Sequence, residues 1–178
     1  MIADDEEVDI LEKKIDQDGV NLLLRFHPVA SDMREVISAM KASTNLERIA
    51  DHAVTIARRA KHLNDRPLVR EVQFLEPPYR LAVAIFRDSI RAYAEADYDL
   101  AQTLKPKDRE LDALTHDVTG KLVERATVDS ELVPSYLDLV FVARALERIG
   151  DHATNIAESF WRDQATDIRH TYGPKKED

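Results

Sequence analysis

The sequence predicts an all-α protein whose helices repeat once along the chain, and three observations lead to this prediction. The 178 residues are 44% hydrophobic and 33% charged and include only four glycines, a composition typical of helical bundles. Apolar residues recur at alternating three- and four-residue spacings, the pattern of a helix with one buried face. The third observation is a repeated phrase. LERIADHAVTIA at 46–57 and LERIGDHATNIA at 146–157 agree at nine of twelve positions.

Five helices are predicted when the chain is divided at its prolines, because proline is disfavoured inside a helix. The predicted helices cover residues 5–26, 29–63, 78–103, 107–127 and 132–163. Ser31 and Pro134 are residue types suited to the starts of the second and fifth helices. The fifth helix has the clearest buried face, which consists of Leu139, Val142, Leu146, Ile149, Ala153, Ile156 and Phe160.

The repeat extends beyond the quoted phrase, since DEEVDILEKKI at 5–15 aligns with DRELDALTHDV at 108–118. Each half therefore contains a helix with a DxxxD motif followed by a longer helix with an ExxxD motif. The second half has a further helix, 78–103, ahead of this pair, and the first half has no counterpart in this sequence. Either the sequence omits that helix, or a partner chain covers the apolar face that it would have buried. The predicted organisation is a first half at 1–65, a linker at 66–77, a second half at 78–170 and a tail at 171–178.

Charge and composition exclude several classes of protein. The net charge of −9 argues against a general nucleic-acid-binding protein, because contacts with phosphates need a basic surface. The absence of cysteine excludes disulfides, thiolate metal sites and cysteine nucleophiles. No segment approaches the roughly 18 consecutive apolar residues of a membrane-spanning helix, and no signal peptide opens the chain. We therefore expect an acidic, all-helical cytoplasmic protein.

The acidic motifs are the candidate functional residues. Residues at positions i and i+4 lie on one face of a helix with Cβ atoms about 5–6 Å apart, so a cation can bridge two such carboxylates. Oxygen ligands suit magnesium, calcium, manganese or iron, and zinc is also compatible. The four pairs are Asp5/Asp9, Glu47/Asp51, Asp108/Asp112 and Glu147/Asp151.

An ordinary solvated helix face is the alternative interpretation of these pairs. Arg48, Arg144 and Arg148 are close enough in sequence to neutralise them, and acidic pairs at this spacing are common on helix surfaces. His52 and His152 follow the motifs, but they lie nearer the buried face and are predicted to serve packing or hydrogen bonding. The spacing alone leaves metal binding and a solvated surface equally open.

The two halves are not expected to be equivalent. Asn155 and Glu158 extend the acidic face by one turn in the second copy, where the first copy has Thr55 and Arg58. Gly150, where the first copy has Ala50, predicts a close approach of the neighbouring helix.

These segments resemble the PhoU family of phosphate-signalling regulators. The resemblance covers nearly the whole chain and is carried by DDEEVDILEKKID at 4–16, HPVASDMREVISAMKASTNLERIAD at 27–51 and LERIGDHATNIAE at 146–158. It implies two pseudo-symmetric three-helix bundles, usually in a homodimer, with the N-terminal helix of the first bundle missing from this sequence.

The resemblance also implies a site and a function. Proteins of this family bind multinuclear iron or zinc clusters on the bundle surface through their E/DxxxD motifs. The implied ligands are Asp5, Asp9, Glu47 and Asp51 in the first bundle and Asp108, Asp112, Glu147 and Asp151 in the second. The implied role is negative regulation, linking an ABC-type phosphate importer to a sensor histidine kinase and silencing the phosphate-starvation response when phosphate is plentiful.

Three other functions remain as alternatives. One is an accessory role with a different phosphate transporter, and another is a purely structural helical scaffold. The third is a carboxylate-bridged metalloenzyme, which is disfavoured because di-iron bundle enzymes use a Glu-x-x-His motif that faces the core. The sequence also lacks a phosphate-binding P-loop and a legible Ser/His/Asp arrangement, so no catalytic residues are predicted.

Overall fold

Five α-helices form the described part of the chain, as the sequence predicts. The computed structural model describes residues 2–29, 31–67 and 69–165, and it describes side chains from residue 6 to residue 159 within those ranges. No strand occurs in these residues, and short 3₁₀ turns lie at Arg70–Leu75 and Ser130–Leu132. The predicted tail at 171–178 lies outside them. The helices are α1 (Ile2–Phe26), α2 (Ser31–Asn64), α3 (Glu76–Glu95), α4 (Tyr98–Val128) and α5 (Val133–Ala165).

Helices α2 and α5 pack against each other in the centre of the molecule. They are antiparallel, because Ser38 near the start of α2 contacts Ser159 late in α5, and Arg59 late in α2 contacts Asp138 early in α5. Helix α1 packs on α2, whereas α3 and α4 pack on α5 and on each other. The second half is therefore a three-helix bundle, and the first half contributes two helices. The division into separate units at 1–65 and 78–170 stays a prediction.

The core lies mainly within the second half. Of the predicted face of α5, Leu139, Val142, Leu146, Ala153 and Ile156 are buried, Ile149 is half-buried, and the side chain of Phe160 is outside the described residues. Fully buried side chains from α3 and α4 meet this face, including Ile85, Leu104, Leu111 and Leu122. Each such side chain contributes about 1.5–3 kcal/mol through removal of its apolar surface from water.

The first half leaves apolar side chains exposed on α1. Leu24 is 67% exposed and Phe26 is 71% exposed, and Ile10 and Leu11 are also exposed. Among the described residues α1 contacts only α2, whereas in the second half α3 covers the equivalent helix pair. The described ranges thus contain no counterpart of α3 in the first half.

The predicted break between the third and fourth helices at Pro106 is wrong. Helix α3 ends at Glu95, because Ala96 adopts a left-handed conformation (φ 55°), and α4 then continues through Pro106. The side chain of Asp97 starts α4 by accepting a hydrogen bond from the backbone N–H of Leu100 at 2.9 Å, the role of an N-cap. A proline inside a helix costs about 3 kcal/mol, and burial of the flanking residue Leu104 offsets this cost.

The segment predicted as a linker, 66–77, contributes two residues to the core. Its 3₁₀ turn places Val69 and Leu75 in the core, and Glu71 lies 3.5 Å from Arg125 of α4 in an ion pair. The 3₁₀ turn of this segment thus packs with the second half, and its place as a boundary between the halves stays a prediction.

The two ends of the α2–α5 contact differ in chemistry. At one end the hydroxyls of Ser38 and Ser159 lie 3.5 Å apart. At the other end the repeat-equivalent positions hold Asp138 and Arg59, which form an ion pair at 3.0 Å, and Arg66 adds a second contact at 2.5 Å. The Asp138 side chain is only 4% exposed, so the first half and the second half are joined by a buried carboxylate with two arginine partners.

Candidate metal centre

Three carboxylates converge where α4 faces α5. Asp108 and Asp112 lie one turn apart on α4, and Asp151 faces them from α5. One oxygen atom of each carboxylate lies within 4.8 Å of those of the other two, a separation that a single bound cation can bridge. We refer to Asp108, Asp112 and Asp151 as the acidic triad.

Gly150 permits the close approach of the two helices at this point. A Cβ atom at residue 150 would lie 2.5 Å from Cδ2 of Leu111 and 2.8 Å from Oδ1 of Asp108, closer than carbon and oxygen atoms can pack. The first copy has Ala50 at this position. The close approach predicted at Gly150 is confirmed, and it brings Asp108 against α5.

The electrostatics of the triad favour a positive charge. Burial raises the pKa of Asp108 to about 6, and the negative charges of Asp112, Asp151 and Glu147 add to this effect. Oδ1 of Asp108 is buried and has no hydrogen-bond partner within the protein. Crowding of carboxylates favours either a proton or a nearby cation, and the oxygen-only donor set fits a hard or borderline metal ion.

Glu147, the fourth predicted residue of this half, lies beside the triad rather than within it. Its Oε2 accepts a hydrogen bond from Oγ1 of Thr115 at 3.2 Å, and its charge contributes to the raised pKa of Asp108. Asp151 is in turn paired with Arg148, whose Nη1 lies 3.3 Å from Oδ2. This ion pair is one that the alternative interpretation, a solvated helix face, also expects.

An open cleft of about 320 Å³ adjoins the triad. Sequence patterns missed two of its residues, Lys105 and Thr154, because neither belongs to an acidic pair. The Thr154 side chain is buried and its hydroxyl has no hydrogen-bond partner in the protein. The lining residues are Lys105, Asp108, Arg148, Asp151, His152, Thr154, Asn155 and Glu158.

The acidic residues of the first half are arranged differently. Burial raises the pKa of Glu47, the charge of Asp51 adds to this shift, Arg48 opposes it, and Asp9 and Glu12 contribute further. Arg48 contacts both Glu47 at 3.3 Å and Asp51 at 3.2 Å. Among the described side chains, this half contains no group of three as close as the acidic triad.

Asp5 and Glu12 of α1 complete the account of the acidic residues in the first half. The side chain of Asp5 lies outside the described residues, so its predicted place in the first site stays a prediction. Glu12 was not predicted, and its Oε1 accepts a hydrogen bond from Thr44 of α2 at 3.2 Å. Glu12 lies outside the E/DxxxD motifs, and only its position three residues after Asp9 places it near that residue on the helix.

The two histidines lie between the acidic regions of the two halves. The rings of His52 and His152 stack with centroids 5.6 Å apart, and Nδ1 of His152 lies 3.0 Å from Oδ1 of Asn45. Burial lowers the pKa of both imidazoles. The structure thus gives these residues the packing and hydrogen-bonding role that the sequence predicts.

The fold and the site together define an all-helical bundle protein with paired carboxylates on facing helices. The sequence model of the PhoU domain matches residues 1–60 and 79–160. The chain belongs to the PhoU family.

Named relatives agree with this assignment. The chain is 34% identical over 159 residues to a "Phosphate-specific transport system accessory protein PhoU homolog" of Xylella fastidiosa, covering 89% of this chain and 67% of the relative. It is 37% identical over 172 residues to the homolog of the same name in Pseudomonas putida, covering 93% and 66% respectively. The chain thus spans about two thirds of the length of these relatives.

A solved structure shares the fold. The crystal structure of PhoU from Pseudomonas aeruginosa superposes with a TM-score of 0.86 at 32% sequence identity, covering 90% of this chain and 78% of that one. Every helix within the described ranges is too short or too polar to cross a lipid bilayer.

Proposed function

We propose that this protein is a regulatory accessory protein of phosphate transport. In this role it is a negative regulator of phosphate uptake and of the phosphate-starvation response. It acts as an adaptor between an ABC phosphate importer and a sensor histidine kinase, and so affects transcription indirectly. The observation that carries the proposal is the membership of the PhoU family, together with relatives named as accessory proteins of a phosphate-specific transport system.

Deletion of the gene in its host tests this role. We expect a phosphate-starvation reporter to become active at high phosphate when the protein is absent, and reintroduction of the gene to restore repression. Unchanged repression after deletion would contradict the regulatory role. That result, together with altered phosphate uptake, would favour an accessory function with a different phosphate transporter.

We also propose that the E/DxxxD motifs bind iron or zinc. In the second half the metal ligands are Asp108, Asp112 and Asp151, with Glu147 beside them; in the first half they are Asp5, Asp9, Glu47 and Asp51. The convergence of the triad within 4.8 Å and the unpartnered, buried Oδ1 of Asp108 support this proposal. The role is regulatory rather than catalytic, in line with the relatives' description as accessory proteins.

The metal content of the purified protein tests the second-half site. We expect protein purified without chelator to contain iron or zinc by elemental analysis, and Asp108→Asn and Asp151→Asn to lose most of it. Asp117→Asn is the matched control, because Asp117 is an exposed acid of the same helix that pairs with Lys121 at 2.5 Å. Equal metal content in all variants would contradict binding at the triad.

A homodimer in the cytoplasm is the proposed assembly. The exposed apolar side chains of α1, including Leu24 and Phe26, support a partner chain over this face. Light scattering of the 178-residue chain is expected to give the mass of a dimer. A stable monomer at micromolar concentration would contradict this assembly.

A further inference from the structure

The cleft beside the acidic triad is lined by side chains that differ in type from the aligned residues of the first half. Alignment of the halves places Lys105 opposite Ile2, Thr154 opposite Val54, and Glu158 opposite Arg58. The ammonium, hydroxyl and carboxylate groups at these three positions are therefore found only in the second half. They surround a cleft of about 320 Å³ that opens next to the triad.

Thr154 is the most informative of these residues. Its side chain is only 7% exposed, and its hydroxyl makes no hydrogen bond within the protein. Val54 fills the equivalent position of the first half at 4% exposure, so an isosteric apolar residue packs well there. A buried hydroxyl without a partner is unfavourable, and its position in the lining of the cleft points to a partner that binds in the cleft.

The cationic side chains of the cleft are held only by weak ion pairs. Nζ of Lys105 lies 3.5 Å from Oε1 of Glu158, and Nη1 of Arg148 lies 3.3 Å from Oδ2 of Asp151. Both distances exceed the 2.7–2.9 Å typical of strong charge-assisted hydrogen bonds, and both cations are more than half exposed. When Asp151 serves as a metal ligand, Arg148 loses part of its attraction to that carboxylate and becomes available to an anion.

We propose that this cleft binds a phosphate group, which contacts the cation held by the acidic triad and accepts hydrogen bonds from Lys105, Arg148 and Thr154. The amide of Asn155 provides a further donor at the rim. This inference rests on the metal binding proposed above. Because Asp108, Asp151 and Glu158 would repel an anion in the absence of metal, phosphate binding depends on the bound cation.

The carboxylates at the rim also distinguish phosphate from sulfate. Inorganic phosphate retains at least one proton at neutral pH and can donate it to an acceptor such as Glu158, whereas sulfate has no proton to donate. Sulfate is therefore expected to bind at least tenfold more weakly than phosphate. A phosphate monoester is larger, and it loses its last proton with a pKa of about 6, so at neutral pH it mostly lacks a proton to donate.

Isothermal titration calorimetry of the full chain, saturated with zinc and freed of unbound metal, tests the proposal with inorganic phosphate as the probe. We expect binding that disappears after treatment with EDTA. Thr154→Val is expected to weaken it about tenfold while the zinc content stays unchanged, since Val54 shows that valine packs at this position. Lys105→Gln and Arg148→Gln are expected to weaken binding, and Arg80→Gln, in an exposed pair with Glu76, serves as the control.

Two comparisons identify the source of the phosphate group. Tighter binding of inorganic phosphate than of glycerol 3-phosphate would support a free anion, and the opposite order would support a phosphate ester as the ligand. Sulfate binding as tight as phosphate would overturn the phosphate assignment.

The remaining outcomes separate this inference from the proposed function. Unaltered phosphate binding in Thr154→Val, or binding that survives EDTA, would overturn the inference. Absence of phosphate binding to zinc-loaded protein would also overturn it, while leaving the regulatory function and the metal site intact. Failure of the wild-type triad to bind zinc or iron would overturn the metal site, and the inference with it.

Discussion

At the scale of single residues, small differences between two copies of one motif determine the site. Gly150 instead of Ala50 brings α4 close to α5, and the same approach buries one oxygen of Asp108. The acidic pairs themselves are common to both halves. The repeat therefore supplies the carboxylates, and in the second half Gly150 lets those of α4 approach α5 closely.

Substitution of Gly150 by alanine is expected to lower stability. The new methyl group would overlap Leu111 and Asp108, and overpacking of this kind costs about 1–3 kcal/mol. Gly120→Ala is the matched control, because nothing lies within 4 Å of a Cβ at that position. As helical alanine is preferred over glycine, the control should gain about 0.5–1 kcal/mol. Urea unfolding gives the free energy of unfolding of both variants. An equal loss of stability in the two would contradict close packing at Gly150.

The raised pKa of Asp108 predicts a specific pH dependence in metal-free protein. Its pKa rises from the usual 3.8 to about 6 on folding, so between these values the folded state binds more protons than the unfolded state. The contribution of Asp108 to stability therefore falls as pH rises from about 4 to 6 and is lowest above 6. Because the group is partly exposed, we expect Asp108→Asn to gain only about 1 kcal/mol over wild type at pH 7.

The measurement is the difference in unfolding free energy between wild type and Asp108→Asn at pH 4 and pH 7, both with EDTA. The advantage of the variant should shrink toward pH 4. A pH-independent difference would contradict the assigned pKa.

At the scale of elements, tertiary packing overrides one sequence rule. Pro106 predicts a helix boundary, but Asp97 caps the helix nine residues earlier and Leu104 is buried in the core. The existence and order of the five helices could be predicted from periodicity, because periodicity reports the buried face directly. The break between α3 and α4 could not, because a local cap and a buried leucine together outweigh one proline.

The start of α4 is expected to depend on its cap. Asp97→Ala removes the acceptor for the backbone N–H of Leu100 and should cost about 1 kcal/mol. Asp99→Ala, an exposed residue of the first turn, is the control and should cost less. Thermal unfolding followed by circular dichroism measures the difference, and an unfolding midpoint of Asp97→Ala equal to that of the wild type would contradict the capping role.

The residues of the candidate site could also be predicted only in part from the sequence. The acidic pairs could be predicted because both members lie on one helix four residues apart. Lys105 and Thr154 could not, because their importance arises only where α4 and α5 face each other across the cleft. The sequence does show that Thr154 aligns with Val54. Its importance follows only from the structure, where its hydroxyl is buried without a hydrogen-bond partner.

At the scale of the whole molecule, the contact between α2 and α5 holds the two halves together. Its charged end combines Asp138 with Arg59 and Arg66, residues about 70–80 positions apart in sequence. No local pattern predicts such a pairing. The arginines are about one-third exposed, so the carboxylate is the more deeply buried partner.

Asp138→Ala is expected to destabilise the fold by about 3 kcal/mol, the lower part of the range for breaking a buried ion pair. The partial exposure of the arginines lets water compensate for some of the loss. Ser38→Ala alters the repeat-equivalent position and should cost about 1 kcal/mol or less, because it removes only a weak hydroxyl contact. Chemical denaturation of both variants provides the comparison, and a similar cost for each would contradict a dominant role for the ion pair.

The unequal ends of this contact also determine which helices can pair. In an antiparallel pairing of two α2 helices in the same register, Arg59 would lie opposite Ser38 and lack its carboxylate. In a pairing of two α5 helices, Asp138 would lie opposite Ser159 and lack both arginines. Pairing of α2 with α5 therefore satisfies the buried carboxylate and its arginines, whereas pairing of either helix with its own copy leaves them unmatched, so these contacts favour the observed arrangement of unlike helices.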